Sequence, residues 1–349
     1  MKGKLVVGAA LIICLGMFPC ISAVAQEITA YMAVSPEDND KVTEFIKAQT
    51  GVTVKQTFMS YGEIGAKMKA EAPRFSADMC IGIGSPQAVE AKKEGWLIPY
   101  DSSTWRGASK LWKDPDNYYF NFALDSLAMV VNKNMLAEKG YAPPKSWDDL
   151  LDPKWKGQIV VPSAVTSGNG YKIVYGVMQL YGLNKGKGEK GGWEYLEALD
   201  KQVHHYTRSG AAPIELVCRG EFMLAVGDNV SVLNRLKEGY PIELIGPKEG
   251  QAGDASYAAI LKGTNKLSTC QKLIDFLGTK EFCRFFGQLV SVATKDPTVG
   301  LPLYQGRPEY PEGKPIYIQN LDLTWAAENR NRLVEEWKAR FMVQGREPK

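Results

Sequence analysis

Ile28-Thr29-Ala30-Tyr31-Met32-Ala33-Val34 is a short apolar strand, and Ser35-Pro36-Glu37-Asp38 follows it with the marks of a helix start. The serine caps, the proline sits in the first turn, and the acids lie beside the positive helix end. The same grammar then recurs. A helix runs to about Gln49, Gly51 stops it, and Val52-Thr53-Val54 begins a second strand. Ser60-Tyr61-Gly62-Glu63 opens the next helix, because a serine and a glutamate three residues on satisfy each other's amides. Asp78-Met79-Cys80-Ile81-Gly82-Ile83 is a third strand, and Gly84-Ser85-Pro86 starts a third helix. Strand and helix in strict alternation predict an α/β fold, with a mostly parallel sheet covered on both faces. Such sheets bind ligands beyond the carboxyl ends of their strands, where all these serine- and glycine-containing turns fall.

Working outward, Leu127–Val131 reads as a strand leaving this first unit, and Ser146-Trp147-Asp148-Asp149 as a capped helix start. Ile159–Pro162 is a strand that runs into Ser163-Ala164-Val165-Thr166-Ser167-Gly168-Asn169-Gly170-Tyr171 and a helix to about Tyr181. Phe222–Val226 and Ile242–Ile245 are further strands, and Ala255–Leu261 is a strand returning to the first unit. Cys270–Leu277 and Lys280–Phe286 are helical, and the glycine- and lysine-rich run Lys185–Gly192 is a surface loop. A chain of 349 residues with 45% hydrophobic content supports two cores.

The amino end carries Lys2 and Lys4, an apolar stretch Leu5–Ile21, and the small residues Ala23-Val24-Ala25. This is the pattern of a signal peptide cleaved after Ala25, so export to the periplasm is expected. Loss of the two lysines lowers the formal charge from +3 to +1, which leaves no general attraction for nucleic acid or an anionic membrane. Of six cysteines, Cys80, Cys218, Cys270 and Cys283 remain, and Cys270 and Cys283 could pair if the helix between them breaks at Gly278. With His204 and His205 the only imidazoles and no C-x-x-C, neither a zinc site nor any cofactor is expected. There is no Gly-x-Ser-x-Gly elbow and no dinucleotide fingerprint, so the sequence offers no catalytic machinery.

Several phrases carry a family resemblance. Pro144-Lys145-Ser146-Trp147-Asp148-Asp149-Leu150-Leu151-Asp152-Pro153-Lys154-Trp155-Lys156-Gly157-Gln158-Ile159 resembles the domain-crossing signature of periplasmic binding proteins in the ferric-iron, hexose-phosphate and phosphonate-binding group. Glu94–Tyr100, Arg219-Gly220-Glu221, Glu238–Pro241 and Lys262–Asn265 resemble further landmarks in the expected order. The resemblance implies a type II periplasmic-binding fold: two α/β lobes joined by a two-strand hinge near Ala123–Met129 and Gly250–Ser256. Lobe 1 would comprise residues 26–125 and 256–310, lobe 2 residues 126–255, and residues 311–349 a C-terminal helical segment packing on both. It also implies a monomeric, non-enzymatic receptor that closes on a small molecule and delivers it to an ABC permease in the inner membrane.

The turns can be sorted by the charge in the helical turn that follows. Glu37, Asp38 and Glu63 offset two helix ends, whereas the helices opening at Ser85 and at Thr166-Ser167 have no acid there and keep their amides for an external anion. The expected ligand is therefore an organic phosphate or phosphonate. Thr166, Ser167, Gly168 and Asn169 would hold it from one lobe and Ser35, Ser60, Gly84 and Ser85 from the other, with Gly168 and Gly170 letting backbone approach the anion. His205 and Arg208, in an expected loop, would add charge or sugar contacts, and Asp228 and Glu249 would bind hydroxyls or an amine. Trp105, Tyr118 and Tyr171 are either stacking surfaces or core. The alternative is ferric iron with a synergistic anion. Iron binders of the group use an adjacent tyrosine pair after the Gly-Glu strand, where this chain reads Gly227-Asp228-Asn229-Val230-Ser231-Val232. Ser35 and Gly84 replace their first-lobe histidine and glutamate, and Tyr118-Tyr119 lies before the first crossing.

Overall fold

The computed structural model describes residues 26–34, 36–290, 292–296, 298–299 and 317–342. The expected signal peptide and Ser35 lie outside them.

The first three strands, β1 (Gln26–Met32), β2 (Val52–Phe58) and β3 (Met79–Ile83), pair in parallel in the order β2-β1-β3. Ile28, Ala30 and Met32 are buried on one face and Tyr31 on the other, because helices cover both. These are α1 (Pro36–Thr50), α2 (Tyr61–Glu71) and α3 (Ser85–Lys93). The sheet is completed by β4 (Leu97–Ile98) and β5 (Tyr119–Leu124), and the chain leaves through β6 (Leu127–Asn132) and α4 (Lys133–Lys139).

The second sheet has the order β10-β6-β9-β7-β8. It holds β7 (Ile159–Pro162), α5 (Gly168–Val177), α6 (Gly188–Asp200), β8 (Val203–Thr207), α7 (Ala212–Cys218), β9 (Leu224–Asp228), α8 (Asn229–Lys237) and β10 (Ile242–Ile245). The chain then returns as β11 (Ala255–Leu261) to pair with β3, β4 and β5, followed by α9 (Leu267–Leu277), α10 (Lys280–Val290) and α11 (Leu323–Phe341). Because β11 comes back from the other lobe it runs antiparallel to β3. Each sheet is thus a parallel core with antiparallel flanking strands, more mixed than the alternation alone implies.

Two stretches cross side by side between the sheets. The Asp125 amide donates to the Asp254 carbonyl (3.1 Å), the Leu127 amide to the Ala252 carbonyl (2.9 Å), and the Asp254 amide to Asp125 Oδ1 (2.8 Å). One apolar cluster continues through this ribbon, from Ile64 and Ala88 under α2 and α3 to Val174 in α5 and Leu333 in α11.

Four local expectations are corrected. The Ser146-Trp147 start makes only a 3₁₀ turn, Asp148–Leu151, cut short by Pro153. The Lys185–Gly192 run enters α6, because its glycines let that helix lie close to the turn before it. A Cβ on Gly192 would stand 2.4 Å from Met178 Sδ. His205 lies in β8, not in a loop. Among the described residues all four cysteines are free and buried, Cys270 and Cys283 included.

Candidate functional site

The carboxyl ends of β3 and β7 aim two helix starts at one place. Gly84 caps α3 with extended backbone, and Ser167 caps α5, its Oγ accepting from the Asn169 amide at 3.2 Å. Neither first turn contains an acid. Among the described residues, the amides of Ser85 and Gln87 in α3 and of Gly168 and Gly170 in α5 donate no hydrogen bond. Ser85 from the first lobe and Gly168 from the second line the same cavity of about 50 Å³, with Lys172, Asp254 and Arg330. That is room for roughly four waters, the scale of one oxyanion head group.

The cavity floor is ionic. Asp254 accepts from Ser85 Oγ at 2.7 Å and from the Ala255 amide at 2.9 Å. Lys172, buried one turn into α5, is paired with Asp125. Desolvation raises the Asp254 carboxyl above the usual range, Asp125 adds to the rise, and Lys172 counters part of it. For Lys172, burial pulls downward, but Asp125, Asp254 and Asp228 together outweigh it and raise the ammonium. The tyrosines here are neutral donors: Tyr175 donates to the Gly253 carbonyl at 2.5 Å, Tyr171 to the Ala326 carbonyl, and both phenols are pushed up chiefly by desolvation.

The sequence-derived candidates divide. Gly84, Ser85, Ser167, Gly168 and Asn169 stand at the two helix starts, and Asn169 Nδ2 donates to Asp228 Oδ2 at 3.0 Å. Asp228 also caps α8, accepting from the Ser231 amide at 2.8 Å. Thr166 is exposed and donates to the Arg208 carbonyl at 2.9 Å, so these two fasten the rim of the turn. Ser60 is committed to its capping box with Glu63. His205 packs with His204 against Phe222, and Glu249 accepts from the Trp147 amide at 3.2 Å, bracing the 144–159 segment; the fold brings neither to the cavity. Gly170 serves packing instead of ligand approach: a Cβ there would lie 2.4 Å from the Ser163 carbonyl carbon, whereas one on Gly168 meets open space. Trp105 is core, its indole donating to the Ile274 carbonyl at 2.8 Å. Tyr118 lies under the Lys92 ammonium, and Tyr119 is buried edge-on against Tyr257.

A wider groove of about 990 Å³ runs between α3, the 110–119 segment and α11. Its rim lysines are mostly paired, Lys69 with Glu90, Lys92 with Asp114, Lys110 with Asp322. It meets the small cavity at Pro86, Ala327 and Arg330.

A model of the bacterial extracellular solute-binding proteins matches residues 76–296. The chain belongs to that family. This solute-binding protein is 25% identical over 243 residues to a putative 2-aminoethylphosphonate-binding periplasmic protein of Salmonella typhimurium, covering 68% of this chain and 67% of that one. Its fold matches the fructose-6-phosphate-bound periplasmic binding protein AfuA of Actinobacillus pleuropneumoniae with a TM-score of 0.71 at 22% identity, over 91% and 99% of the two chains. It matches iron-bound HitA of Pseudomonas aeruginosa with a TM-score of 0.72 at 19% identity, over 89% and 99%. The fold is therefore that of type II periplasmic binding proteins, as the sequence resemblance implies.

Sequence reading missed Asp125, Lys172, Asp254 and Arg330 in this solute-binding protein. One signal was available: Lys172 is the only charge in the apolar helix Gly168–Val177, four residues beyond Gly168 and so on its face. The arrangement of this solute-binding protein can hold an oxyanion by amides and cations.

Proposed function

We propose that this periplasmic solute-binding protein captures an organic phosphate or phosphonate by lobe closure and delivers it to an ABC permease, without catalysis. The observation that carries the reading is the convergence of two acid-free helix starts, one from each lobe, on a single cavity. Each start offers partial positive charge and free amides, and an anion gains both sets only when the lobes meet. The relatives named for 2-aminoethylphosphonate and fructose 6-phosphate support the same class.

The ferric-iron reading has its own support in the iron-bound HitA neighbour. The chemistry of the site weighs against it. Tyr171 and Tyr175 spend their hydroxyls on backbone carbonyls and have raised pKa values, the reverse of phenolate ligands.

The test is a thermal-shift screen of the purified protein against 2-aminoethylphosphonate, fructose 6-phosphate, inorganic phosphate and ferric citrate. A rise in melting temperature with an organic phosphate or phosphonate is expected, by mass action. Stabilisation by ferric citrate alone, with a visible absorption band, would replace this reading with the iron one.

A further inference from the structure

We propose that Arg330, on the C-terminal helix α11, is a ligand-binding residue: the third arm that meets the oxyanion held between the two helix starts. The inference rests on the anion reading of the cavity and adds a residue that neither lobe's sheet edge supplies.

Arg330 lines both the small interlobe cavity and the wide groove, and so stands where one opens into the other. Its guanidinium carbon lies 5.5 Å from the centre of the Tyr171 ring, which supports the cation from one side without using its N–H groups. Among the described residues it makes no ion pair. The other arginines of α11 are committed: Arg332 to Glu189 at 2.6 Å, Arg340 to Glu197 at 2.7 Å. Lys172, the other cation lining the cavity, is already matched by Asp125 and faces Asp254. An entering oxyanion thus finds one uncommitted cation, and a guanidinium fork suits its paired oxygens.

The attachments of α11 to both lobes hold Arg330 at the junction between them. To the second lobe the helix is tied by Tyr171 donating to the Ala326 carbonyl and by Gln179, whose side chain bonds both the carbonyl (3.0 Å) and the amide (2.6 Å) of Asp322. The two arginine pairs reinforce that anchorage. To the first lobe it is held by packing on α3, by a side-chain hydrogen bond between Tyr119 and Thr324, and by the exposed Lys110–Asp322 pair at 3.0 Å. Arg330 therefore stands beside Gly168 and Lys172 of the second lobe and Ser85 and Pro86 of the first.

The experiment is calorimetric titration of wild type, Arg330→Gln, Arg330→Lys and Arg332→Gln with 2-aminoethylphosphonate and fructose 6-phosphate at two salt concentrations. Arg330→Gln should bind the recognised anion roughly tenfold more weakly, with a shallower salt dependence and an unchanged ligand-free melting temperature. Arg330→Lys should fall between, and Arg332→Gln, two residues along the helix and outside the cavity, should match wild type. Binding by Arg330→Gln within about twofold of wild type, or an equal loss in Arg332→Gln, would overturn the proposal while leaving the anion site standing. No binding of either probe by wild type would overturn both.

Discussion

At the scale of single residues, the account turns on a lysine. Lys172 sits in a buried helix with 9% of its side chain exposed, and the carboxylates of Asp125, Asp254 and Asp228 make that tolerable. Lys172→Met keeps the volume but strands two carboxylates, and should cost about 3–5 kcal/mol of stability, measured by urea unfolding. Glu71 makes a second test with a defined pH dependence. Burial alone would raise it, but Lys67, the Ser76 amide, Tyr31 and the Ser76 hydroxyl outweigh burial and hold it at about 2, below the ordinary 4.5. A depressed carboxyl stabilises the fold above its unfolded value and loses that contribution as pH falls through its folded one. Glu71→Gln should therefore be less stable than wild type by about 1–2 kcal/mol at pH 7, with the gap closing as pH falls from 4.5 towards 2. A constant gap across that range would show that packing, not charge, is what Glu71 supplies. These residues also mark what sequence could not show. The turn residues Ser85, Ser167 and Gly168 were legible because helix-start chemistry is local. Asp125, Asp254 and Arg330 meet Lys172 only through tertiary structure, and each of the three reads singly as an ordinary surface charge.

At the scale of elements, strands with clear apolar runs were read to the residue, as with Ile159–Pro162, Ile242–Ile245 and Ala255–Leu261. Errors came where glycine had two meanings. In Lys185–Gly192 its richness reads as a loop, yet Gly192 is the close-approach point of α6 on the turn Met178–Gly182. Gly192→Ala would force a Cβ to within 2.7 Å of Met178 Cα, and should destabilise the protein by about 1–3 kcal/mol through overpacking. A neutral or stabilising result, from the better helix propensity of alanine, would mean that α6 can shift freely. The Ser146 cap does form, its Oγ accepting from the Asp149 amide at 3.1 Å and Asp149 accepting from the Ser146 amide at 3.1 Å, but Pro153 ends the segment before a second turn can form.

At the scale of the whole molecule, two lobes share a narrow ribbon, a continuous apolar cluster and a C-terminal helix that leans on both. Such a joint bends at few places, so ligand should shift an open-closed equilibrium. Small-angle scattering should show a fall in the radius of gyration when the recognised phosphate or phosphonate is added, and none with a non-binding neutral sugar. The central claim is narrower: that an anion is held between the amide ends of α3 and α5. Calorimetric titration of Gly168→Val against wild type tests it most directly, because a Cβ at Gly168 meets open space, so the fold tolerates the branched side chain, which would crowd the amide end of α5 that lines the cavity. The account predicts wild-type binding of an organic phosphate or phosphonate and a loss of roughly 100-fold in the variant at unchanged melting temperature. Equal affinity in the two proteins would contradict it.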